Sequence, residues 1–159
     1  MILDSRLSFG EDFDVAQVAG TYLFTNQIDL GLARDVGNGK PLYLVLVCTG
    51  GDDGIITGGS AGTIQFALVS DDSASIHATT RSVHLLTKEY VTDDATPNEI
   101  EKGDIFFVGA IPTDGNEPYE RFLGLQAIVA TTTTTEGTVS AYLTFDAPAK
   151  WKSYADAAN

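Results

Sequence analysis

Residues 25–47 read TNQIDLGLARDVGNGKPLYLVLV, and the closing apolar run decides the fold. Leu42-Tyr43-Leu44-Val45-Leu46-Val47 holds no side chain that wants water, and Gly39 and Pro41 bound it. A short run of that kind, rich in β-formers, reads as a central strand buried on both faces. Ahead of it, Ile28-Asp29-Leu30 alternates as a half-buried strand does, and Gly31 breaks that strand. Leu32-Ala33-Arg34-Asp35 sets a short polar connection, and Gly37-Asn38-Gly39 supplies residues that tolerate positive φ. Arg34 lies between Asp29 and Asp35, so it is expected to pair with one of these carboxylates or with a neighbouring chain. Nothing in the stretch offers a nucleophile, a metal cage or a phosphate cradle. It is scaffold.

Composition narrows the function classes. A chain of 159 residues with 43% hydrophobic content can bury one good core and is short for two. The formal net charge of −13 argues against a nucleic-acid partner, because phosphate binding needs Lys and Arg, and the nine basic residues are scattered. No apolar stretch approaches the roughly twenty residues that cross a bilayer, so no membrane partner is expected. Met1–Asp12 has an early acid and no long apolar region, so no signal peptide is expected. A single cysteine, Cys48, excludes an internal disulfide, and an intracellularly made, soluble, acidic protein is the expectation.

Outward from the central run, the chain reads as strands and turns. Residues 1–20 have weak periodicity and are expected as an N-terminal arm. Thr21–Leu30 should hold a first strand. The glycine-rich 49–60 stretch reads as a long flexible loop. In Thr63–Val69, Ile64, Phe66 and Leu68 share one face. Ser82–Leu86 is a weaker strand, and Asp104–Ile111 a second fully apolar one. Leu123, Leu125, Ala127 and Val129 share a face of the next. Val139, Ala141, Leu143 and Phe145 should face inward on the last, with Ser140, Tyr142 and Thr144 outward. Joined by a threonine tract and Glu136-Gly137, these last two runs should form a hairpin. Leu44, Phe66, Leu125 and Leu143 are expected on facing sheets. No segment sustains a helical period. The fold class is all-β: an antiparallel β-sandwich of about eight strands with jelly-roll or Greek-key topology. One jelly-roll-like domain spans 1–159, with a short arm (1–20) and a C-terminal tail (147–159).

Candidate chemistry is sparse. His77 and His84 are seven apart in extended sequence and cannot make the helical pair of a zinc protease, so they read as surface or hydrogen-bonded side chains. Cys48 ends a buried strand and reads as core. Asp52-Asp53, Asp71-Asp72 and Asp93-Asp94 are adjacent pairs, whereas a calcium loop spaces its acids at alternate positions, so they read as solvated turns. Gly50-Gly51 and Gly58-Gly59 lack the lysine of a phosphate loop. No catalytic, cofactor-binding or metal-ligating residue is expected, and no enzyme. The tail differs: Lys150-Trp151-Lys152-Ser153-Tyr154 puts the one tryptophan between two basic residues just past the last strand. Aromatic and basic groups are favoured at interfaces, so the tail either docks on a partner or folds back on its own sandwich.

Met1–Asp4, Thr25–Gly31, Arg34–Gly37, Gly39–Val45, Ser70-Asp71-Asp72, Arg121-Phe122-Leu123 and Ala141–Asp146 fall together in order. In this combination, which covers nearly the whole chain, the protein resembles the Bbp16-type capsid cement proteins of tailed bacteriophages. The resemblance implies a jelly-roll homo-oligomer, a homodimer with a trimer as the alternative, bound outside a phage head. There it would clamp neighbouring major capsid subunits of the HK97-like type. It implies no cofactor, and a virion protein made in the host bacterial cytoplasm. The Gly50–Gly59 and Asp93–Glu120 stretches are longer than the family pattern. The residues expected at a capsid or subunit contact are Arg34, Lys150, Trp151, Lys152 and Tyr154. The competing class is a surface-binding module, such as a carbohydrate-binding sandwich, which an exposed platform of aromatics would favour. The tyrosines are spread along the chain and show no such cluster.

Overall fold

A computed structural model describes residues 5–32, 40–57, 62–92, 99–113 and 118–146. The described residues form one 3₁₀ turn, Ser5–Leu7, and twelve strands, with no α-helix among them. The strands are β1 (Ser8–Asp14), β2 (Gly20–Leu23), β3 (Ile28–Asp29), β4 (Tyr43–Gly50), β5 (Ile56–Thr57) and β6 (Thr63–Asp71). They continue as β7 (Ser82–Leu86), β8 (Tyr90–Val91), β9 (Ile105–Ala110), β10 (Phe122–Ala130), β11 (Thr134–Glu136) and β12 (Thr138–Thr144).

Two antiparallel sheets face each other. One has the order β1-β12-β4-β9, the other β2-β10-β6-β7, with β3 added to β10 and β8 to β6. Setting aside the two- and three-residue strands leaves eight principal ones. They pair first with last (β1–β12), second with seventh (β2–β10), third with sixth (β4–β9) and fourth with fifth (β6–β7). A long antiparallel ribbon wrapped into two sheets has this pairing, which is the jelly roll. Of the two expected topologies, the pairing selects this one.

The wrapping overturns the hairpin expected between the last two long runs. β10 belongs to one sheet and β12 to the other, and between them β11 pairs with β5. Thr131, at φ +70, turns the chain out of β10, and Glu136-Gly137 delivers it to β12 beside β1 and β4. The stretch from Ile55 to Thr57 is likewise no free loop, since Ile55, Ile56 and Thr57 are buried and β5 lies within it. Gly58-Gly59 lies outside the described residues. Within 1–20, Ser8–Asp14 is an edge strand rather than part of an arm, held on β12 through two bulges. The single strand expected over Thr21–Leu30 is two, β2 and β3, both paired to β10.

The core lies between the sheets, where period-2 alternation puts it. Leu44 and Leu143 from one sheet meet Phe66 and Leu125 from the other, and all four are buried. Leu123, Ala127 and Val129 are buried beside Leu125, and Val139 and Ala141 beside Leu143. An aromatic line crosses this core. Phe13 stacks on Phe24 at 4.1 Å, Phe24 meets Phe66 at 6.3 Å, and Phe106 lies 5.4 Å from Phe66 and 5.3 Å from Tyr90. β4 is central, between β12 and β9, and Val45 on its outer face is also buried opposite Tyr142 and Val108. The second fully apolar strand is present as β9, which is a sheet edge, with Val108 and Ala110 exposed. Phe145 was expected inward. It lies just past β12, where alternation no longer holds, and is 55% exposed.

Candidate interaction surface

Several residues weighed for chemistry have structural partners, and Asp93-Asp94 lies outside the described residues. His84 Nε2 is 2.7 Å from Ser70 Oγ, and its ring stacks on Tyr119 at 3.9 Å. Ser70 Oγ also accepts the Glu120 N–H at 3.0 Å, so His84 belongs to a structural clasp between β6, β7 and the strand entry at Arg121. Asp71 accepts the Ser73 and His77 N–H groups at 3.0 and 3.1 Å, which closes the turn after β6 and lowers its pKa. Burial pushes the Cys48 thiol up to about 11, and its Sγ faces the Gly50 carbonyl at 3.5 Å. No three His, Cys, Asp or Glu gather among the described residues. Tyr90, Tyr119 and Tyr142 are buried, and Phe145 is the one strongly exposed aromatic among the described residues, so these form no aromatic platform.

Antiparallel wrapping sends the connections to two ends of the sandwich. At the first, Val15 N–H donates to Gly137 O at 3.1 Å, Thr134 N–H to Gln17 O at 3.0 Å, Thr92 N–H to Gly62 O at 2.9 Å and Ile55 N–H to Ile100 O at 3.2 Å, and β5 pairs with β11. At the second, Ile111 N–H donates to Leu42 O and Leu30 N–H to Arg121 O, each at 2.8 Å.

The second end carries Ser5–Leu7, the residues around β3, the turn after β6, the entry to β10 and the exit from β12. Here Arg6, Leu7, Gln27, Ile28, Asp29 and Phe145 line a recess of about 570 Å³. Three residues past Asp29 in the chain, Leu32 is 74% exposed. One rim is braced by Arg121, whose Nε and Nη2 donate to Asp29 Oδ1 and Oδ2 at 3.0 and 2.9 Å. The Arg121 hydrogen bonds, helped by the Gly31 N–H, hold the Asp29 carboxyl at about 2, below its ordinary 3.8. Gly31 takes φ +77 to follow Asp29, which is why the strand stops where the sequence placed the break. An apolar recess with two large exposed apolar side chains and a fixed ion pair can take a protein surface.

A protein-family model for Bbp16 matches residues 13–143. The chain belongs to the Bbp16 family. The match runs from the end of β1 nearly to the end of β12, so it takes in all of the sandwich but most of its first strand. No curated protein matches the chain.

Arg34, Lys150, Trp151, Lys152 and Tyr154 all lie outside the described residues. Arg34 falls within the Bbp16 match and the four tail residues beyond it. The described residues nearest them in sequence, Leu32 and Phe145-Asp146, belong to the second end. Asp29, one of the two carboxylates offered to Arg34, has both oxygens taken by Arg121. Sequence reasoning missed Arg121 because 92 residues separate it from Asp29, and only the β3–β10 register brings them together.

Proposed function

We propose that this chain is a non-enzymatic structural protein that binds the outer surface of a phage capsid and cements neighbouring major capsid subunits of the HK97-like type. It does so as a homo-oligomer, in the first instance a homodimer, on the virion. The observation that supports the proposal is an apolar recess with a large exposed aromatic, Phe145, at one end of the sandwich in a chain of the Bbp16 family. Leu32, shortly after β3, is exposed as well. A rigid sandwich with one sticky end suits a clamp. The acidic charge keeps free copies apart and soluble before assembly.

The test is titration of heads lacking the protein with the purified full chain. Saturable binding is expected. Phe145→Ser should bind about fivefold or more weakly, with an unchanged melting temperature, because the side chain lies outside the core. A wild-type chain that ignores heads but is retained by immobilised glycans would make it a surface-binding module instead.

A further inference from the structure

Apart from the core between the sheets, a second buried apolar cluster lies on the outer face of the β2-β10-β6-β7 sheet. Ile64, Phe66 and Leu68 turn toward the core, so Ala67 and Val69 of β6 turn outward. Both are nevertheless fully buried, with Ile76 from the turn after β6 beside them and Leu23 and Ile128 packed against them. Gly124 of β10 leaves the room that Ile76 takes, since a Cβ there would strike it. The cluster runs on to the flank of the sheet. Val83 and Leu86 of β7 stand opposite Val69 and Ala67, and Val91 of β8 stands opposite Thr63. These three follow one another along the outer face and are 50%, 52% and 43% exposed. A buried apolar cluster thus ends in an apolar strip open to water.

Charge decides what can cover the strip. The chain holds 22 acidic residues against nine basic ones, yet Ser73–Lys88 contains no Asp or Glu. Within that stretch, Arg81 makes no ion pair among the described residues, and its Nε is buried with no hydrogen-bond partner. A basic partner is drawn to the acidic surfaces elsewhere on the chain. A second copy is repelled by those surfaces and can approach here, and it brings carboxylates that an unpaired guanidinium can bind. A strip meeting itself across a two-fold axis needs only apolar side chains on both sides. We propose that a second copy of this chain covers the Val83–Leu86–Val91 strip, with Arg81 donating to a carboxylate of that copy. This names the contact of the homodimer put forward above and rests on that part of the reading; the capsid has no part in it.

The test is sedimentation of the full chain over a concentration series, with methyl NMR on the same samples. Wild type should pass from monomer to dimer as concentration rises. The Val83, Leu86 and Val91 methyl signals should move with it, while those of Leu32 stay. Val83→Asp with Leu86→Asp should weaken dimerisation about a hundredfold or more and leave the far-UV circular dichroism unchanged, because both side chains are half exposed. Arg81→Gln should weaken it about fivefold. Phe145→Ser should dimerise as wild type does. A dimer lost in Phe145→Ser and kept in the double variant would put the second copy in the recess, which overturns this contact and leaves the homodimer standing. If the two aspartates unfold the chain, the wild-type methyl signals decide, and shifts that spare Val83, Leu86 and Val91 overturn the proposal. A wild type that stays monomeric at every concentration overturns both the contact and the homodimer, and leaves capsid binding to its own titration. For such a monomer, heads that bind wild type but not the double variant would give the strip to the capsid surface instead.

Discussion

Asp29 and Arg121 show what a single pair does here. Both are exposed, so their bond does not hold the fold together; it fixes the path of the β3 segment at the rim of the recess. Because the folded-state pKa of Asp29 lies below its ordinary value, its stabilising effect is fully present above pH 3.8 and fades as pH falls toward 2. The Asp29 carboxyl should therefore titrate near 2 by carbon-detected NMR and return toward 3.8 in Arg121→Gln. An unmoved midpoint in that variant would leave Arg121 no part in holding the carboxylate. Leu143 works on another scale, because it is buried between the sheets against partners that cannot follow it inward. Leu143→Ala should cost about 2–5 kcal/mol, read as a lowered denaturation midpoint, and an unchanged midpoint would mean its face of β12 is not core.

At the scale of elements, one connection tests how the end that holds β5 and β11 is built. Gly54, at φ +90, lies against the backbone of Ile100 and Glu101, where an added methyl would strike the Ile100 carbonyl. Gly54→Ala should destabilise by about 1–3 kcal/mol through positive-φ strain and that clash, and a wild-type melting curve would contradict it. Strand faces were legible from the sequence, because alternation is local. Ile64, Phe66 and Leu68 on β6 and Val139, Ala141 and Leu143 on β12 are buried as their spacing required. Pairing was not legible. Thr131 to Gly137 carries every sign of a hairpin turn, yet β12 takes Ala141 to Gly10 on one side and Leu46 on the other. Which strand a strand joins depends on sequence-distant surfaces, and no local signal in the threonine tract encodes them. The same limit hid the recess, assembled from residues near opposite ends of the chain.

Across the whole molecule, the buried core joins two facing sheets, and one end carries an apolar recess with Phe145 exposed on it. In the cement role proposed above, each contact would be small, but many copies around a closed shell would act together, so modest affinity per copy would still stiffen the whole. The most direct measurement is the heat stability of phage heads with and without this protein, followed as genome release during a temperature ramp. Heads lacking it should assemble but release their genome at a lower temperature, and added purified protein should restore the difference. Equal release temperatures for the two kinds of head would contradict the cement role.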